Sequence, residues 1–145
     1  MGQDELTRRH PETGVILSRG MRRVTLSFGS QRETIDLPGW YPADDPTAEN
    51  GLHDARDMRV SDRAITLMKA REAGLLTPDQ IRKVRKRLGL SQRDAGRIIG
   101  GGPNAFQKYE AGDVLVSKAA DTALRLLAND PARLAELVPE ASQMA

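Results

Sequence analysis

The sequence predicts an α+β protein: a small strand-rich N-terminal region, a connecting helix, and an all-α C-terminal region of five helices. Three observations carry this expectation. In residues 15–37 apolar and β-branched residues alternate with polar ones, the period of a half-buried strand. From residue 61 onward the apolar period lengthens to that of a helix. That helical part is cut into short segments by start and stop residues: Thr77-Pro78, Gly89, Ser91, Gly100-Gly101-Gly102 and Ser117.

Composition narrows the class. A chain of 145 residues has room for one ordinary domain or two small ones, and 39% hydrophobic with 29% charged residues is a soluble composition. Aromatics are only 3%, so the core must be aliphatic and thin. The absence of cysteine excludes disulfides, thiol catalysis and thiolate metal sites. No apolar run approaches the roughly 18 residues that span a bilayer, and the polar N-terminus lacks a signal-peptide core, so a cytoplasmic protein without a membrane partner is expected.

Residues 1–9 are short and polar, and are expected to fray. Residues 15–17, 22–28 and 33–37 read as strands, with Val24, Leu26 and Phe28 on one face and Gly29-Ser30 turning residues 22–37 into a hairpin. Pro38-Gly39 should end the hairpin, and Trp40 is expected as a core plug for the small sheet. Residues 42–57, rich in acidic residues, Pro, Gly and Asn, read as a mobile loop. A helix is expected over residues 60–76, with Ser61 as N-cap and Ala64, Ile65, Met68 and Leu75 as apolar positions.

Thr77-Pro78-Asp79-Gln80 is a strong helix start, with a cap, a proline in the first turn and a capping-box glutamine. That helix carries Ile81, Val84 and Leu88 on one face and ends at Gly89. Ser91, with Asp94 three residues on, opens a helix of about nine residues bearing Ala95, Ile98 and Ile99. Three glycines then allow a tight turn, and Pro103 is expected at the first position of the next helix, where Ala105, Phe106 and Tyr109 share a buried face. Residues 117–128 form an amphipathic helix with Ala120, Leu124 and Leu127 inward, and residues 131–137 a last short one. The expected domains are therefore residues 1–60, a connecting helix at 61–76, and residues 77–145.

Two helices around a glycine turn form a helix-turn-helix, a unit that lays its second helix in the major groove of DNA. Asn104, Gln107 and Lys108 point away from the predicted buried face, and such side chains read base edges or grip phosphates. Between Thr77 and Tyr109 the bases Arg82, Lys83, Arg85, Lys86, Arg87, Arg93, Arg97 and Lys108 face only Asp79 and Asp94, so eight minus two gives +6 within a chain of net +2. A charge run is often only a solvated face, but beside a helix-turn-helix it fits phosphate neutralisation. An enzyme is not expected: the chain has two histidines, His10 and His53, and no acid–base pair at a workable spacing.

The segment LTPDQIRKVRKRLGLSQRDAGRIIGGGPNAFQKYEAG, followed by the LRLLAND helix, resembles the C-terminal domain of MqsA-type antitoxins within the larger Cro/C1 repressor-like group. The likeness continues upstream through PETGVILSRG, LPGWY and VSDRAITLMKAREAGLL. It implies a homodimeric protein that binds a palindromic double-stranded operator through its C-terminal domain and a protein toxin through its N-terminal one. It further implies that Asn104 and Lys108 sit at base-reading positions, and that Arg71 matches a linker arginine that approaches DNA. Asn104 can pair bidentately with adenine; Lys108 replaces an arginine and offers a point charge instead of a planar fork. Gln92, Gln107 and Arg93 complete the candidate contacts, with Gln92 equally readable as a plain surface residue. A stand-alone helix-turn-helix regulator without a toxin is the alternative.

One departure is large. The resemblance implies a zinc module held by two Cys-x-x-Cys pairs, and those positions are occupied here by His10, Thr13, Pro42 and Asp45. Only His10 and Asp45 have ligand chemistry, so no metal and no cofactor is expected. His53 could complete a His-Asp-His set, but a loop histidine is the simpler expectation.

Overall fold

The computed structural model describes residues 6–138. They form a three-stranded antiparallel sheet with its strands in chain order, followed by five α-helices and a 3-10 helix, the α+β arrangement expected. Two compact units divide between Met68 and Lys69.

In the first unit, Thr7–Arg9 is strand β1, pairing with Ser18 to Ile16, so the end of the stretch expected to fray is tied down. The strands expected at 15–17 and 22–28 are one strand, β2 (Ile16–Phe28), because Gly20 continues the ladder opposite Gly39. Strand β3 (Gln31–Pro42) pairs with β2 from end to end, and Pro38-Gly39 lies inside it instead of ending it. The reason is positional. Trp40 exchanges both backbone hydrogen bonds with Leu52 at 2.9 Å, so its amide faces away from β2. Two residues earlier the Pro38 nitrogen faces the same outer edge, where a missing N–H breaks no rung of the ladder.

Residues 42–57 are organised by side-chain acceptors, not by a lack of structure: Asp45 takes the Thr47 amide and hydroxyl and the Asn50 amide group. Helix α1 (Ala55–Ala73) starts earlier than expected, because the Asp54 carboxylate accepts the Asp57 amide at 3.0 Å. That bond and the Arg56 guanidinium lower the Asp54 carboxyl to about 2. Ser61, expected as the N-cap, is buried within the helix and donates to the Met58 carbonyl. Asp57 is buried and receives a two-pronged pair from Arg19 at 2.9 and 3.0 Å, which fixes the start of α1 to β2. Trp40 is the core plug expected, 6% exposed, with the Arg8 and Arg19 guanidiniums over its ring at 3.7 and 4.3 Å.

In the second unit α1 ends at Ala73, before Gly74 at φ +69°, so Leu75 lies beyond the helix. Helices α2 (Pro78–Arg87), α3 (Gln92–Ile99), α4 (Ala105–Ala111) and α5 (Lys118–Asn129) follow, then a 3-10 helix at Pro131–Glu136. The caps are those expected: Thr77 and Gln80 form a reciprocal capping box, Ser91 accepts the Asp94 amide, and Ser117 accepts the Ala120 amide. Leu76, Ile81, Ala95, Phe106, Tyr109, Val116, Ala120 and Leu124 close one core. Asp121 is buried beneath it, taking the Leu76 amide at 2.8 Å and the Arg125 guanidinium at 2.9 Å.

Candidate nucleic-acid interface

The glycine turn sets the angle at which α4 leaves α3. Gly100, Gly101 and Gly102 all have positive φ, from 89 to 132°, where a side chain would be strained. The Gly96 carbonyl accepts both the Gly100 and the Gly102 amides, folding the turn back on α3. A Cβ on Gly96 would meet the Gly102 carbonyl oxygen at 1.8 Å, so the turn and α3 can approach this closely only through glycine. Pro103 lies one residue before the cap instead of within the first turn, and Asn104 is the N-cap of α4. Asn104 has αR backbone angles, φ −104° and ψ −3°, and makes no side-chain cap. Its amide is therefore not spent on the helix end, as an N-cap asparagine's usually is.

Phe106 and Tyr109 hold α4 in the core with edge-to-face rings 5.4 Å apart. Ala105 packs beside them, half-buried. Asn104, Gln107 and Lys108 are all exposed on the other side of the helix. Of the remaining candidates, Arg93 is exposed on α3 and Arg71 is exposed in the last turn of α1. Gln92 is half-buried, and its amide nitrogen donates to Glu110 at 3.1 Å.

Glu110 is the residue that sequence reasoning missed. It is 4% exposed, on the inner face of α4, and receives Arg85 Nε at 2.5 Å and Nη2 at 2.8 Å. Arg85 also donates to the Leu90 carbonyl, and Arg82 to the Glu110 carbonyl, so one buried carboxylate joins α2, the approach to α3, and α4. Burial raises the Glu110 pKa, but the Arg85 and Gln92 hydrogen bonds and the Arg85 and Arg82 charges outweigh it and hold the carboxyl below its ordinary value. The same bond holds the Arg85 guanidinium above its own. A signal was present: Glu110 follows Tyr109 and lies four residues after Phe106, on the apolar face.

This cluster corrects the charge count. Arg85 is neutralised by Glu110, and Arg82 and Lys83 both pair with Asp79 at 3.2 and 3.5 Å. The exposed cations outside these pairs are Lys86, Arg87, Arg93, Arg97 and Lys108, with one Arg87 nitrogen also on the Ala128 carbonyl. The basic surface is thus carried by α3, α4 and the end of α2, not by the whole of α2.

Two further sequence expectations concern the N-terminal unit. His10, Thr13, Pro42 and Asp45 all line one cavity, together with Val15 and Leu17. His53 has another role: its Nε2 lies 3.1 Å from the Tyr41 hydroxyl, which itself donates to the Leu37 carbonyl. Among the described residues no three metal-ligating side chains come together. No helix among them is long and apolar enough to cross a membrane.

A family profile described as the antitoxin component of a bacterial toxin-antitoxin system, MqsA, matches residues 8–138. The chain is 38% identical over 81 residues to Antitoxin MqsA of Escherichia coli (strain K12), covering 53% of this chain and 62% of that relative, less than two thirds of its length.

Proposed function

Because the chain belongs to the MqsA antitoxin family, we propose that it reads its own operator as a homodimer and neutralises a protein toxin. The observation that carries the DNA half is the two-sidedness of α4. Phe106, Tyr109 and Glu110 fix the helix from within, and Asn104, Gln107 and Lys108 stand exposed on it. Asn104 and Lys108 read base edges, Gln107 and Gln92 add base or phosphate contacts, and Arg93 and Arg71 neutralise phosphates. Two such helices on half-sites one helical turn apart multiply a limited single-site affinity. An apolar hollow between α5 and the 3-10 helix supports pairing through this unit: Leu126 is 65% and Leu137 46% exposed there, beside Ala123 and Leu127.

The division of labour assigns the toxin to residues 1–60, operator binding and dimerisation to residues 77–145, and a connecting role to 61–76. This is a cytoplasmic, non-enzymatic reading. Footprinting on the DNA upstream of its own gene tests it: a protected palindrome is expected, and no protection removes the repressor half. Asn104→Ala and Lys108→Ala should each weaken that binding by about 1–3 kcal/mol, and unequally across operator variants. Co-expression with the product of the neighbouring gene tests the toxin half by co-purification.

A further inference from the structure

The four positions where the family resemblance implies zinc ligands converge, yet their chemistry does not fit a metal. Thr13 and Pro42 offer no charged donor. His10 Nδ1 already accepts the amides of Glu12 at 3.1 Å and Thr13 at 3.4 Å. Asp45 Oδ1 accepts the Thr47 amide and hydroxyl at 2.8 and 2.6 Å, and Oδ2 accepts Asn50 at 2.8 Å. Those bonds, Thr47 first and Asn50 after, lower the Asp45 carboxyl below its ordinary value. Arginines complete both turns. Arg9 donates to the Gly14 carbonyl at 2.9 Å, and Arg22 donates to the carbonyls of Pro42 and Asp45 at 3.1 to 3.2 Å.

We propose that these two turns are a metal-free clasp: His10 and Asp45 cap them from within, and Arg9 and Arg22 supply the positive charge a bound cation would otherwise bring. Each turn is stapled to itself or to β2, so neither needs a shared ion to hold its shape. His10, Thr13, Pro42 and Asp45 nevertheless all line one cavity, so four cysteines there would share one space.

The experiment uses the full chain, with Trp40 emission as the readout of the N-terminal unit. The wild-type midpoint should be the same with chelator and with added zinc. His10→Ala should lower it by roughly 4–8 °C. His10→Asn should restore it, because an asparagine oxygen accepts the amides two and three residues on. The fourfold variant His10→Cys, Thr13→Cys, Pro42→Cys, Asp45→Cys should take up one cobalt ion per chain, with thiolate charge-transfer and tetrahedral d–d bands. Stoichiometric zinc in the purified wild type, with a midpoint that falls on chelation, would overturn the clasp. So would a His10→Ala chain that melts with wild type, or a fourfold variant of native circular dichroism that binds no cobalt. The two His10 variants change a single turn, so they decide the question independently of the fourfold chain.

Discussion

The two units hold themselves together in different ways. The C-terminal unit closes one apolar core and confines its polar chemistry to two buried carboxylates, Glu110 and Asp121. The N-terminal unit has a long hairpin whose outer half keeps Val24, Leu26 and Ile35 only half-buried, and it relies on polar staples: Arg19 on Asp57, arginines over Trp40, and side chains capping two turns. A two-stranded ribbon is marginal by itself, so such staples carry more of its stability than they would in a packed domain. A small sheet with a thin core can thus be kept in shape by guanidinium groups.

The sharpest test of this contrast is Glu110→Gln. It leaves Arg85, whose side chain is 12% exposed, without its carboxylate, and should cost about 3–5 kcal/mol. Helical circular dichroism should record that loss, while Trp40, the sole tryptophan, reports an unchanged first unit. A parallel fall in both signals would break the contrast. The same pair predicts acid sensitivity. Glu110 has its pKa lowered on folding, so its contribution is complete above its ordinary value of 4.5 and is lost as pH falls through the lower folded value. Urea midpoints of the helical signal between neutral pH and pH 3 should show this, and Glu110→Gln should flatten the slope.

Arg19→Met should act on the other side of the comparison. It strands the buried Asp57 carboxylate and removes one cation from Trp40, costing about 2–3 kcal/mol, read by Trp40 emission in a urea titration. The smallest effect is expected for Thr77→Ala, about 1 kcal/mol from loss of the α2 cap, confined to the helical signal.

What could be read from the sequence divides along the same line. Thr77, Ser91, Ser117 and the three glycines act on neighbours within four residues, and each performs as local chemistry says it should. Two errors are local, the start of α1 at Asp54 and the place of Pro103, and the others involve partners far along the chain. The unbroken β2 and the tolerance of Pro38 depend on which edge of β3 faces Leu52. The early start of α1 brings Asp57 to Arg19, 38 residues away, and Glu110 waits for Arg85 across 25. Acidic residues in a Pro-rich loop look solvated until the arginine that meets them is known. The exposure of Asn104, Gln107 and Lys108 was legible from their spacing, whereas the carboxylate that steadies their helix was not.

The 45-residue reach from Leu76 to Asp121 has a consequence for the order in which the chain matures on the ribosome. Every pairing of the hairpin, and the Arg19–Asp57 bond, is available once residue 57 has emerged. The core that positions α4 must wait for Asp121 and Leu124, after more than sixty further residues at roughly 5–20 residues per second. A nascent chain therefore carries a paired hairpin for seconds before it can fold its C-terminal helices, and a chain cut short before α5 would have the first without the second.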